Sequence, residues 1–224
     1  MGPRSTGNGP LGAVPSGTVP QLSFAVEGAE RVEHAAVPTV AFALRIESSD
    51  DRPVQSVLLD VQVQIAARRR QYDEAARDRL FELFGPVEQW GTSLRTLLWT
   101  RATLVVPAFT GSTVAQLPIA CSYDLEVAAS RYFDALDDGE VPLEFLFSGT
   151  VFYGAPLQAA RISWESEADY RMPVSLWRET MDRYFRGTAW LRLPKDSFDR
   201  LTAHKSRHAL ATWEDVFDSL LPER

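Results

Sequence analysis

The residues best placed to bind a metal are two histidines four positions apart, His204 and His208. On a helix this spacing puts both imidazoles on one face, as in the H-E-x-x-H sites of zinc enzymes. Here the residues between them include the cations Lys205 and Arg207, and no glutamate is present to act as a general base. The pattern therefore favours a solvated basic helix face, with a metal site as the alternative, and we expect no bound cofactor.

The sequence also lacks a nucleophilic motif, since no G-x-S-x-G elbow occurs in it. Cys121 follows the apolar run 117–120, where a thiol is usually a small buried hydrophobe. Gly149 interrupts an aromatic strand pattern, which predicts a bulge or a close approach of two backbones rather than a phosphate loop. A non-enzymatic function is therefore favoured. The alternative is a metal-dependent or small-molecule enzyme with its site between the sheet and the C-terminal helices, using His204, His208 and an acid.

Arginine and tryptophan, the residues that dominate protein interfaces, are both plentiful. The chain has 21 arginines against 2 lysines, and 6 tryptophans. We predict that Trp177, Arg178, Arg183 and Trp190 form a partner-binding group. The helical spacing of the apolar residues turns Trp177 inward, so Arg178 and Arg183 should face solvent or acidic residues.

Composition excludes several classes of protein. With 30 acidic and 23 basic residues the formal charge is −7, which disfavours nucleic acid or an anionic membrane as a general partner. A single cysteine excludes an intrachain disulfide and fits a reducing compartment. No apolar run approaches the roughly 18 residues of a membrane helix, and the N-terminus has no apolar stretch typical of a signal peptide. We expect a cytoplasmic protein without membrane insertion, and the oligomeric state stays open.

The elements that must position these residues are mainly strands. Residues 1–20 contain nine glycines and prolines, which predicts a disordered tail before a single domain at 21–224. Alternating or apolar runs predict about seven strands over 21–170, at 22–27, 38–46, 59–65, 97–106, 117–127, 143–153 and 160–170. The turn-forming run 48–53 predicts that the second and third of these pair as a hairpin.

Helical patterns interrupt and then follow the strands. Two helical insertions are predicted, one at 73–84 and one around 129–136. From residue 171 onward the pattern is helical, with helices expected from Val174 to before Gly187, at 196–205 and after the capping box that Thr212 and Asp215 form. The fold prediction is α+β, an antiparallel β-sandwich or curved sheet with an α-helical C-terminal layer. We expect the buried surface of that layer to consist of five aromatic residues: Trp177, Tyr184, Phe185, Trp190 and Trp213.

Several motifs together resemble an uncharacterised actinobacterial family, the domain of unknown function 6084. They lie at 138–143, 146–153, 162–165, 168–174, 177–185 and 190–193. The resemblance carries no activity or catalytic residue across. It implies a protein encoded beside nickel-iron hydrogenase subunits and their maturation factors. The leading hypothesis is therefore an assembly or accessory factor that binds a protein partner, and the resemblance implies that set as the candidate partners.

Overall fold

The structure is a computed structural model that describes residues 19–49, 51–122, 124, 127–188 and 192–221. The predicted tail at 1–20 lies outside these residues except for Val19 and Pro20. No helix of the described residues is long and apolar enough to cross a membrane.

Within the described ranges, eight strands form two antiparallel sheets, which confirms the predicted α+β class. The three-stranded sheet has the order β1, β2, β5, and the five-stranded sheet has the order β4, β3, β6, with β7 and β8 both paired to β6. The strands are β1 (Leu22–Arg31), β2 (Thr39–Ser48), β3 (Val54–Ile65), β4 (Leu97–Val106), β5 (Ser112–Ala120), β6 (Glu140–Tyr153), β7 (Gln158–Arg161) and β8 (Glu167–Pro173). The predicted strand at 160–170 is thus two strands, and the one predicted at 117–127 ends at Ala120.

The predicted hairpin between the second and third strands is wrong. β2 pairs with β1 and β5, whereas β3 pairs with β4 and β6, so the chain crosses from one sheet to the other after Ser48. Both strands bury one face completely, with Phe42 and Leu44 on β2 and Val61 on β3. Alternation shows which face of a strand is buried, but it does not show which strand lies beside it. Here the buried faces of β2 and β3 belong to opposite sheets.

The core lies between the sheets and is rich in aromatic rings. Phe42 of the three-stranded sheet makes edge-to-face contacts with Phe145, Trp99 and Tyr170 of the other sheet, at centroid distances of 5.1, 6.0 and 5.9 Å. Edge-to-face pairs at such distances add to the free energy gained by burial alone. Two sheets packed in this way give the predicted sandwich.

Both helical insertions are present. The first, between β3 and β4, contains α1 (Glu74–Arg79), α2 (Phe81–Phe84) and α3 (Trp90–Ser93), and the second, between β5 and β6, contains α4 (Ala128–Asp134). The helix expected at 73–84 is therefore broken at Leu80. The two insertions meet where the hydroxyl of Tyr72 donates to the carbonyl oxygen of Ala67 at 2.7 Å and also contacts the hydroxyl of Tyr132 at 2.7 Å.

Three helices follow the sheets, and only the first joins the sandwich. α5 (Val174–Phe185) buries Val174, Trp177, Thr180 and Met181, and Gly187, with φ +64°, follows its end as expected. α6 (Lys195–Arg207) and α7 (Trp213–Leu220) make their main contact with each other, and the predicted capping box at Thr212 is present. We call α6 and α7 the helical hairpin. Trp213 was expected to be buried, but it is 39% exposed because α7 does not reach the sandwich core.

Candidate functional site

The predicted partner-binding group does not form one exposed surface. Trp177 is only 3% exposed and stacks on Phe133 with a centroid distance of 4.3 Å. Its inward orientation is confirmed, and for that reason its ring is part of the core and cannot contact a partner. Trp190 lies outside the described residues.

Arg178 and Arg183 do face outward, and both meet acidic residues as predicted. Arg178 Nη1 lies 3.0 Å from Asp137 Oδ1 and also donates to the Asp137 carbonyl oxygen at 2.9 Å. The hydrogen bond from Arg79, and then the bond from Arg178, hold the pKa of Asp137 below its usual range. Arg183 Nη1 lies 3.5 Å from Glu33 Oε2. Each guanidinium is thus matched by a carboxylate of the same chain, which leaves this helix face nearly balanced in charge.

His204 and His208 lie side by side on α6, with ring centroids 4.3 Å apart. His204 Nε2 contacts Ser219 Oγ on α7 at 2.9 Å. In the part of the chain that the structure describes, no three metal-binding side chains come together. The groove beside His204 is lined by α6 and Leu220 of α7 only, so these histidines do not face the sheets. The enzyme alternative, with a site between the sheets and these helices, has no support from this geometry.

The most exposed large apolar side chain described is Trp164, which is 87% exposed. It lies at the tip of the loop between β7 and β8. The backbone N–H of Ser166 donates to the Ser163 carbonyl oxygen at 3.1 Å, which closes a tight turn under the ring. Removing apolar area from water gains roughly 25 cal/mol of free energy per Å². Trp164 buries little of its apolar area within this chain, so most of that free energy remains to be gained. The ring is therefore available to a partner.

A groove lies beside this loop, where the two sheets separate, and we call it the edge groove. Its volume is about 530 Å³. β7 and β8 follow each other along the same edge of β6, and β1 packs against β8 but not closely against β7. The groove opens where β1 and β7 diverge. Its lining comprises Val19, Pro20, Gln21, Leu22, Val151, Ala160, Arg161, Ile162, Ser163 and Glu165.

Gly149 of β6 lies close to β3 on one side and bonds the residue after β7 on the other. Its φ is +137°, and a Cβ at this position would lie 2.0 Å from the carbonyl oxygen of Leu58. The close backbone approach predicted from the sequence is confirmed. The Gly149 carbonyl oxygen accepts a hydrogen bond from the backbone N–H of Ile162 at 3.1 Å. Successive residues of a strand point their N–H and C=O groups to opposite sides, so those of Arg161 point away from β6.

The edge groove combines an apolar floor with polar groups that lack partners. Leu22, Val151 and Ile162 contribute apolar surface. No described residue forms an ion pair with Arg161 or Glu165, in contrast to Arg178 and Arg183. In addition, β7 pairs with no described strand other than β6. The groove can thus bind an extended peptide through backbone hydrogen bonds, apolar contacts and one charge of each sign.

Sequence reasoning missed Trp164 as a functional residue. Two of the described tryptophans, Trp164 and Trp213, are exposed, at 87% and 39%. The available signal was local, because Trp164 has only polar neighbours in Ser163, Glu165 and Ser166. The predicted continuous strand at 160–170 concealed it, since alternation in a strand would have placed Trp164 on the same apolar face as Ile162 and Tyr170.

Comparisons with known proteins identify a family and leave its activity open. A family model described as a family of unknown function, DUF6084, matches residues 19–224. No curated protein matches the chain. Among solved structures, the CARDB domain of a Pyrococcus furiosus protein is 8% identical, with a TM-score of 0.27 over 68% of this chain and 91% of that one. Beta-glucosidase 3B from Thermotoga neapolitana is 12% identical, with a TM-score of 0.25 over 68% of this chain and 17% of that one. Scores this low carry no argument about this chain.

Proposed function

The chain belongs to DUF6084, a family of unknown function, and we propose that it is a non-enzymatic interaction factor that holds a segment of a partner protein in the edge groove. The observation that carries this proposal is Trp164, which is 87% exposed and lies between Ser163 and Glu165, two residues that line a groove of about 530 Å³. Tryptophan and arginine are the commonest anchors of protein interfaces, and here Trp164 and Arg161 stand within three residues of each other.

The shape of the groove favours an extended peptide over a small molecule. Its lining comes from β7 at the edge of its sheet, the start of β1 and a loop, so a chain laid along β7 would also meet β1. The outward N–H and C=O groups of β7 can add one more strand. Arg161 and Glu165 at the rim can each meet an opposite charge on the partner.

The finer form of the proposal concerns the identity of the partner. The family resemblance supports a nickel-iron hydrogenase subunit or a maturation factor, which would make the protein a cytoplasmic assembly or accessory factor of an actinobacterium. Arg178 and Arg183 would then lie outside the primary contact, because both are already paired with acids of this chain.

The proposal is tested by affinity capture from the native host, using the full chain as bait and quantitative mass spectrometry as the readout. We expect the wild-type bait to enrich a hydrogenase subunit or maturation factor. We expect Trp164→Ala, and separately Arg161→Glu, to reduce that enrichment by at least about tenfold, the loss typical of an interface anchor. Titration calorimetry with the purified partner should give the same ratio of affinities.

Phe81→Ala is the matched control, since Phe81 is an exposed aromatic residue (57%) on α2, away from the groove. It should leave the enrichment unchanged. Recovery of a groove-dependent partner unrelated to hydrogenases would disprove the finer form and keep the general one. Equal enrichment by wild-type and Trp164→Ala baits would disprove the role of the groove.

A further inference from the structure

The helical hairpin leaves much of its apolar surface uncovered. Val216 is its one fully buried residue among those described, and no residue of either helix belongs to the sandwich core or packs against it. Four of its large apolar side chains are between 39% and 47% exposed, namely Phe198, Trp213, Phe217 and Leu220, and Leu221, directly after α7, is 69% exposed. Helices of 13 and 8 residues depend on packing against other elements for their stability. An apolar surface left uncovered on such helices therefore calls for a partner surface.

The exposed residues of α7 form one stripe. Trp213, Phe217 and Leu220 are spaced i, i+4 and i+7, which places them on the same side of the helix. Glu214 and Asp218 flank this stripe and are exposed. α7 is therefore an acidic amphipathic helix whose apolar side buries Val216 in the hairpin but leaves Trp213, Phe217 and Leu220 between 39% and 47% exposed.

α6 carries the complementary surface. A groove of about 440 Å³ runs along it, with Leu201 and Leu220 as apolar lining and Arg200, His204 and Arg207 around them. Arg200 and Arg207 have no carboxylate partner within the described chain, and neither Glu214 nor Asp218 has a cationic one. Most of the other charges are engaged, since Lys195 pairs with Asp199, Lys205 donates to the carbonyl oxygens of Leu210 and Ala211, and Asp215 closes the capping box. Asp196 is an exposed acid in the first turn of α6 and is not among the residues that line the groove.

The geometry points to a second copy of this chain as the occupant: we propose that the helical hairpins of two copies dock on each other, each α7 lying in the α6 groove of the other. Within one copy, the acidic helix and the basic groove are joined in the same hairpin. A two-fold axis brings both pairs of surfaces together at once and closes the assembly at two copies. The result is a four-helix bundle with the apolar stripes inside and the arginines beside the acids of the other copy.

This assembly is independent of the edge groove and of the function proposed for it. The hairpin shares no described lining residue with that groove. A monomer that still captured a partner through Trp164 would contradict the self-association alone. A dimer whose capture of partners did not depend on Trp164 would contradict only the role of the edge groove.

The test is sedimentation equilibrium of the full chain with charge-swapped variants. The wild-type chain, of 25.0 kDa, should sediment at about twice that mass in the micromolar range. Arg200→Glu with Arg207→Glu should raise the dissociation constant at least about tenfold, and so should Glu214→Arg with Asp218→Arg. An equimolar mixture of the two double variants should recover the dimer, because each restores the opposite charge to the other.

Arg77→Glu with Arg95→Glu is the control for the change in net charge, since both side chains are exposed elsewhere and have no ion pair among the described residues. It should sediment as the wild type does. Circular dichroism checks that each variant retains its helices. A wild-type chain that stays monomeric at about 100 μM, or a mixture that fails to recover the dimer while both variants remain folded, would overturn the proposal.

Discussion

The aromatic residues of the sandwich are buried, whereas those of the helical hairpin are partly exposed. In the sandwich, Trp177 and Phe133 stack at 4.3 Å and are almost fully buried. In the hairpin, Trp213 and Phe198 lie 5.4 Å apart in a tilted pair, and both remain about 40% exposed. The same residue types thus stabilise the fold in one region and stay available for association in the other. Composition alone could not separate the two roles.

The sharpest way to test this contrast is thiol reactivity. Burial raises the pKa of Cys121 to about 12. At pH 8 its thiolate fraction should therefore be on the order of a thousandfold below that of an exposed cysteine, and the reagent must also reach a buried atom. We expect Cys121 to react with Ellman's reagent more than about a thousandfold slower than a cysteine introduced at the exposed hairpin position by Ser206→Cys. Comparable rates would show that the sandwich opens readily.

Two tryptophan substitutions test the same contrast through the free energy of unfolding. Trp177→Ala leaves a cavity beside Phe133 and should lower the free energy of unfolding by about 3–5 kcal/mol. Trp213→Ala should cost about 1 kcal/mol or less in the monomer, because its ring is partly solvated already. Urea unfolding at low protein concentration, followed by circular dichroism, gives both values. Equal costs would mean that the hairpin and sandwich unfold as one tightly coupled unit.

The smallest expected effect is the difference in stability between losing a hydrogen bond in the core and losing one in the hairpin. Because the Tyr72 hydroxyl donates to Ala67, the Tyr132 hydroxyl must be the donor of the bond between the two tyrosines. Tyr72→Phe removes both bonds inside the core and should cost about 1–3 kcal/mol. Ser219→Ala removes the exposed contact to His204 and the bond that Ser219 Oγ donates to the Val216 carbonyl oxygen in its own helix. It should cost less than about 0.5 kcal/mol, because the higher helix propensity of alanine offsets part of the loss. The same urea titrations resolve this difference, and a costly Ser219→Ala would contradict it.

Local patterns predicted the elements well and their partners poorly. The alternation at 59–65 lies within β3, and the Thr212 capping box begins α7, because both signals depend on residues close together in sequence. The pairing of β2 and the uncovered stripe of α7 depend on distant parts of the chain. An amphipathic pattern shows that a face is apolar, but it is silent about what covers that face.

The edge groove was unpredictable for the same reason. Val19 and Ile162 both line the groove although they lie far apart in the sequence. The groove exists because β1 packs alongside β8 and not alongside β7. Trp164 was visible as a residue, but its exposure depends on the break between two strands that the sequence shows as one.

The crossing of the chain after Ser48 also has a consequence during synthesis on the ribosome. Both neighbours of β3 follow it in sequence, and Val54 pairs with Tyr153 near the far end of β6. As the nascent chain emerges, one edge of β3 stays unpaired until β4 has been translated, and the other edge stays unpaired until β6 has been translated. Distant pairings of this kind slow folding. A chaperone that shields this apolar strand in the interval would raise the yield of the finished protein.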